Sequence, residues 1–208
     1  MNKKFSVIFL AVLALFSTNL FAKDYKWSDV WCTYAADLKT GDVIINADAG
    51  LHANMFKKQA LTISRLDWLF PYSEASFDVM SQIWKLPFSF GGYAGFGMSQ
   101  FTELNYGLRL GNVFGYAKIN NTASVGTTMK YHFHLPAESL DIYAGVKFGV
   151  QYLYQTYDIV YAKFNKSNWD FELYPVVGFN WLFAKNFGLN VEFGGQEWVK
   201  AGLSFCFR

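Results

Sequence analysis

The stretch Ser139–Asp158, "SLDIYAGVKFGVQYLYQTYD", restricts the fold more than any other part of the chain. Leu140, Ile142, Ala144, Val146, Phe148, Val150 and Tyr152 take every second position. Asp141, Tyr143, Gly145, Lys147, Gly149 and Gln151 take the others. A period of two specifies a β-strand, and this one runs well past the ~5–6 residues of an average soluble strand. Burying unpaired carboxylates and lysines in a soluble core would cost several kcal/mol each. A sandwich could instead turn those polar groups outward, so alternation alone leaves two environments open. The length of the strands and the supply of large apolar side chains decide between them.

The same alternation recurs. "VIINADAGLHANM" turns Val43, Ile45, Ala47, Ala49 and Leu51 one way, and Asn46, Asp48, Gly50 and His52 the other. "ASVGTTMKYHFHL" opposes Val125, Met129, Tyr131 and Phe133 to Lys130, His132 and His134. "DFELYPVVGFNWLFA" opposes Phe171, Leu173, Val177 and Phe179 to Asp170, Glu172, Tyr174 and Asn180. "FGLNVEFGG" and "VKAGLSFCFR" place Glu192, Lys200 and Cys206 on the polar face, with Leu203, Phe205 and Phe207 on the apolar one. Aromatic residues make up 20% of the chain, with 22 Phe, 13 Tyr and 7 Trp. Hydrocarbon on the outside and charge on the inside is the arrangement of a transmembrane β-barrel, the only sheet that satisfies every amide without an edge.

The N-terminus agrees with export. "MNKKFSVIFLAVLALFSTNLFA" has a positive start at Lys3 and Lys4, an apolar run from Phe5 to Phe16 and a small residue at Ala22, as a secretory signal peptide does. After Ala22 no apolar run reaches the ~20 residues of a spanning helix. Without Lys3 and Lys4 the 18 basic residues fall to 16, equal to the 16 acidic ones, and no basic cluster points to nucleic acid. The expected division is residues 1–22 signal peptide, 23–41 a periplasmic segment and 42–208 an all-β, antiparallel up-and-down barrel in the bacterial outer membrane.

Counting back from Arg208 gives eight strands, near 43–55, 73–84, 87–98, 122–134, 140–153, 170–183, 187–195 and 197–207. Short links near Lys85, Pro136 and Lys185 fit the periplasmic side. Longer ones, 99–121 and 154–169, fit the outer side. "ALTISRLDWLF" and "YGLRLGNVFGYAK" are also strand-like. Counting both as spans gives ten strands; eight is preferred, with these segments extending hairpins beyond the membrane. Pro175 reads as a bulge or a lipid-rim position.

Candidate functional groups follow from the inward face. Asp48, Lys130, Lys147, Glu172, Glu192 and Lys200 supply matched acids and bases, which in an eight-stranded barrel fill the lumen as a salt-bridge plug; a narrow lined pore is the alternative. His52 faces inward too. His132 and His134 with Asp141 lie near the periplasmic turn, where a satisfied polar cluster outweighs a metal site. No catalytic constellation, metal or cofactor is assigned. Cys32 and Cys206 are candidates for a disulfide in an oxidising compartment, against the alternative of two unrelated small residues. Trp27 and Trp31, four apart, fit a short amphipathic helix tucked under the barrel. Tyr157 and Tyr161, in the expected outer loop, are candidates for partner contact.

The residues resemble a known group, the small bacterial outer-membrane β-barrel proteins of OmpA/OmpX/OmpW type. "MKYHFHLPAESLDIYAGVKFGV" looks like its strand–periplasmic turn–strand unit, and "FAKNFGLNVEFGG" like its penultimate hairpin. "WVKAGLSFCFR" resembles its terminal strand, with Leu203, Phe205 and Phe207 as the assembly signal, here followed by Arg208. "SRLDWLF" faintly resembles a stretch of the omptin proteases. The resemblance implies outer-membrane lipid and the barrel-assembly machinery as partners, with an extracellular ligand or a small or hydrophobic solute as the further candidates. It implies envelope structure or surface interaction, with a solute conduit as the alternative and an outer-leaflet enzyme third.

Overall fold

The computed structural model describes residues 29–32, 34, 37–52, 62–106, 113–134, 139–159, 162–195 and 197–208. The expected signal peptide, Trp27, Tyr161 and the side chain of His52 lie outside the described residues.

Eight antiparallel strands close into one ring in sequence order. They are β1 (Val43–His52), β2 (Thr62–Ile83), β3 (Leu86–Tyr106), β4 (Val113–His134), β5 (Leu140–Ile159), β6 (Ala162–Ala184), β7 (Phe187–Gly194) and β8 (Glu197–Phe207). Closure runs from Val43 opposite Phe207 to His52 opposite Glu197. The strand-like segments that left ten spans open are extensions of β2, β3 and β4, so the count is eight.

Boundaries differ from the sequence reading in one systematic way. The long outer loops expected over 99–121 and 154–169 are mostly strand, because β3 pairs with β4 up to Tyr106–Val113 and β5 with β6 up to Ile159–Ala162. The alternation weakens there, yet the hydrogen-bonded ladder continues, since strands standing in water need no apolar face. β2 absorbs Pro71 at a register irregularity between Phe70 and Ser73. Pro175 causes no slip against β5 and sits at the rim, where β7 leaves β6 at the Val176–Gly194 pair.

The described turns at the end of the barrel that holds Phe207 are tight. Trp84 and Lys85 both have positive φ, 51° and 68°, the two-residue hairpin whose twist matches its strands. At the opposite end Gly194 and Gly195, φ 138° and 63°, turn β7 into β8.

The wall has the inverse polarity of a soluble protein. Phe77, Phe96, Phe148, Val177, Phe205 and Phe207 are exposed outward, while the lysines and carboxylates of the alternate positions are buried. An apolar surface of this extent belongs against another apolar phase. Several inward glycines have a packing reason: Gly95, Gly126, Gly149 and Gly178 each leave room for a tyrosine from another strand. A Cβ on Gly178 would lie 2.6 Å from the Tyr143 hydroxyl, and one on Gly149 2.5 Å from the Tyr93 hydroxyl. Large and absent side chains thus alternate around the lumen, which is how a narrow barrel is filled without voids.

Gly178→Val should displace Tyr143 and cost about 1–3 kcal/mol by overpacking. The midpoint of the heat-induced mobility shift of detergent-folded protein would fall, and an unchanged midpoint would refute this account of the tyrosine–glycine pairs.

Candidate functional site

The strands bring charged residues far apart in sequence to the centre of the lumen. Lys130 on β4 lies 2.7 Å from Asp78 on β2 and 3.4 Å from Glu192 on β7. Lys147 on β5 lies 2.6 Å from Glu74 on β2 and 2.9 Å from Glu192. Lys200 on β8 lies 3.0 Å from Glu192 and 3.6 Å from Asp48, and also pairs with Glu74. β2 and β5 are not neighbours in the ring, so these bonds span the lumen. Glu192 touches all three ammonium groups.

Aromatic rings complete the enclosure. The Lys130 ammonium sits 4.5 Å from the Tyr143 ring centroid, and that of Lys147 sits 4.7 Å from Tyr93. The Tyr143 hydroxyl donates to Glu192 at 2.9 Å. Glu172, expected among the ion pairs, is held instead by the Tyr93 hydroxyl and the Gln151 amide, at 2.8 and 2.9 Å.

Below the lysines is a second polar layer. His132 places Nδ1 2.8 Å from Asp141 and Nε2 2.8 Å from the Ser89 hydroxyl. Asn180 donates to the other Asp141 oxygen at 2.8 Å. The order Ser89–His132–Asp141 has the connectivity of a nucleophile relay. All three are fully buried, however, and the Tyr34 ring lies edge-on to His132 at 5.9 Å. Both ring nitrogens of His132 are engaged, and among the described residues no group of three or more His, Cys, Asp or Glu is arranged to hold a metal ion.

The described part of the segment before β1 lies at the end of the barrel where β1 begins and β8 finishes. A single-turn helix, α1 (Asp29–Cys32), lies outside the wall, where Trp31 packs against Tyr131 and Phe133 at 6.4 and 5.6 Å. The chain then passes under the rim. Tyr34 enters from below, donates its hydroxyl to the Phe88 carbonyl at 2.8 Å and also bonds the Ser81 carbonyl. His134 donates Nδ1 to the Tyr34 carbonyl at 2.7 Å, so it belongs to the stopper and not to the ion network. Leu38 packs with Ile44, Met80, Leu182 and Cys206 in a small apolar floor. Burial pushes the Tyr34 phenol up to about 12.

The Cys32–Cys206 disulfide is not made, and both thiols are free. Cys32 is exposed on the outer side of β4, whereas Cys206 points into the floor from β8 on the opposite side of the ring. The barrel wall separates them. Tyr157 is also not a loop residue. It lies on β5, half-buried, with its ring 5.9 Å from both Tyr116 and Phe164 and with Lys118 over its face at 5.7 Å. His52 ends β1 opposite Glu197, at the other end of the barrel from His132. Leu203, Phe205 and Phe207 line the outer face of β8 and are exposed.

Sequence reasoning missed Glu74, Asp78 and Tyr34. The first two were legible in principle: Tyr72, Glu74, Ser76, Asp78 and Met80 alternate with Ala75, Phe77 and Val79. The strand near 73–84 was counted, but beside Pro71 its inward set was not read out. Tyr34 carried no periodic signal, because it acts from an irregular segment.

No family model and no curated protein matches the chain. Solved structures do. The chain is similar to the outer membrane protein OprG of Pseudomonas aeruginosa, at 15% identity over 84% of this chain and 99% of that one, TM-score 0.47. It is similar to Ail, the attachment invasion locus protein of Yersinia pestis, in complex with the heparin analogue sucrose octasulfate, at 10% identity over 81% and 100%, TM-score 0.41. It is also similar to the N-terminal β-barrel domain of Pseudomonas aeruginosa OprF, at 13% identity over 81% and 98%, TM-score 0.39.

Two expectations follow from the site. Glu192→Gln removes the shared partner of three buried lysines and should destabilise the barrel by about 3–5 kcal/mol, measured by the temperature of the gel-mobility transition. The neutral phenol of Tyr34 favours the docked stopper. With the phenol's pKa raised from 10.0 to about 12, docking should be intact below pH 10 and lost progressively as pH rises from there to about 12. Trp31 fluorescence in detergent-folded protein reports this release, and a Tyr34→Phe variant should lose the transition in that window.

Proposed function

We propose that this protein is a bacterial outer-membrane barrel with an occluded lumen, that it acts in envelope structure and surface interaction, and that it is not an enzyme. The observation that carries the reading is the cross-lumen network of Lys130, Lys147 and Lys200 with Asp48, Glu74, Asp78 and Glu192. Every ammonium in it is buried and paired, and the Tyr34 stopper lies beneath. Such an interior offers no continuous path for a solute, so the working surface is the part above the membrane. The Ser89–His132–Asp141 chain, capped on its periplasmic side, serves as a lock that fixes the floor.

Lipid is the partner of the outward face, where exposed apolar residues recur on β2 to β8. The alternating apolar residues Leu203, Phe205 and Phe207 are the handle for the barrel-assembly machinery. Unlike the inner groups, they stay exposed after the barrel closes.

Single-channel recording in planar bilayers tests the occlusion. Wild-type protein should give no resolved conductance steps, and Lys147→Ala combined with Glu74→Ala should create them. Reproducible steps from the wild type would favour the conduit for small or hydrophobic solutes.

A further inference from the structure

Buried amides register where protons are, because the orientation of each is fixed by its partners. Asn180 on β6 donates Nδ2 to Asp141 on β5 at 2.8 Å, which leaves its Oδ1 as an acceptor. Asn190 on β7 donates Nδ2 to that Oδ1 at 2.7 Å and to the Tyr143 hydroxyl at 3.0 Å. The Asn190 Oδ1 then faces Asp48 on β1, 3.1 Å from each carboxyl oxygen. An ionised carboxylate has no hydrogen to offer there.

Turning the amides over does not remove the deficit. With Asn190 reversed, its oxygen meets the Asn180 oxygen at 2.7 Å. It also meets the Tyr143 hydroxyl, whose hydrogen is committed to Glu192. With both amides reversed, the Asn180 oxygen meets Asp141 at 2.8 Å. Two amides between two carboxylates are one hydrogen short in every orientation, so one of the two acids holds a proton. Asp141 has a partner for each oxygen, His132 Nδ1 on one and Asn180 Nδ2 on the other, as a carboxylate requires. Asp48 is less well supplied. Its ammonium partner Lys200 stands 3.6 Å away and lies closer to Glu192 and Glu74.

The balance of charge points the same way. Among the described residues the central lumen buries five carboxyl groups, Asp48, Glu74, Asp78, Glu172 and Glu192, against three ammonium groups, Lys130, Lys147 and Lys200. Unbalanced buried charge is costly, and a bound proton relieves it without occupying space.

We propose that Asp48 is a proton-binding site: in the folded barrel it is the un-ionised acid and donates to the Asn190 side-chain oxygen. The amides of Asn190 and Asn180 carry the state of that site to Asp141 and His132 at the floor. Lys200 of β8, Glu192 of β7, Glu74 of β2 and Lys130 of β4 bear on Asp48 through space. Lys147 and Tyr143 of β5 bear on it through their bonds to Glu192. Loss of the proton sets two acceptors against each other, turns Asn190 over and breaks its bonds to Asn180 and Tyr143. The ion network and the floor then come apart. The proposal goes beyond the surface-interaction reading and stands whether or not the lumen conducts.

Infrared spectroscopy of the mature protein in lipid nanodiscs tests it, at about pH 6, where an ordinary aspartate is ionised. Wild type should show the carbonyl stretch of an un-ionised carboxyl group, shifted in heavy water. Asp48→Asn should lose one group's share of that band. The substituted amide has the acid's shape and donates to the same oxygen, so the variant should fold, as heat-modifiable migration verifies. A proton bound more tightly in the folded state stabilises at low pH, and that contribution is lost as pH rises. Between about pH 5 and about pH 8 the midpoint of the mobility shift should therefore fall further in wild type than in Asp48→Asn, which leaves His132 and His134 unchanged. Wild-type protein without the band overturns the proposal, whether or not the variant folds. So do a band undiminished in Asp48→Asn, parallel pH profiles, and a band removed by Asp141→Asn instead, which would place the proton at the other end of the chain.

Discussion

A peptide group in hydrocarbon has no water to bond, and leaving one unpaired costs several kcal/mol. That constraint organises the molecule. It forces the sheet to close, from β1 to β8, and it sets the height at which closure can be abandoned. Below the Val176–Gly194 pair the β6–β7 ladder is complete. Above it β6 pairs with β5 alone among the described residues, which an aqueous or headgroup environment permits. The upper boundary of the hydrocarbon is thereby written into the strand pairing.

Closure creates a second problem, a narrow interior lined by charge. Isolated buried ions would be prohibitive. The chain meets this with bonds that cross the lumen, so that Glu192 serves Lys130, Lys147 and Lys200 together. The rings of Tyr93 and Tyr143 lie under two of the ammonium groups. Charge pairing and packing are achieved by the same residues, which makes the ion network a structural element of the barrel. The sheet is lopsided because β2 to β6 are 20 to 23 residues long, whereas β7 has 8.

Much of this was legible in the residues. The terminal strand, 197–207, was located without error, since its alternation is uninterrupted and its outer face uniformly apolar. The inward lysines were legible for the same reason. The upper strands were not, because outside the membrane both faces meet water and the period-two contrast fades, as over 162–169. The strand of Glu74 and Asp78 was counted from residue 73 on, but its start at Thr62 was not, because Pro71 ordinarily argues against a strand interior and is accommodated here at a register irregularity.

The sequence by itself determined which side of each ribbon faces oil and which carries charge, because side-chain direction alternates with position and needs no knowledge of neighbours. From that came the closed sheet, the polar lumen and a count of eight or ten strands, with eight preferred. Only the tertiary structure decided which acid meets which base, that Cys32 and Cys206 stand on opposite sides of the wall, that Tyr34 bonds the Phe88 carbonyl and that β6 outruns β7. Those depend on the stagger of strands around the ring and on where each ends, and periodicity along one strand holds no record of either.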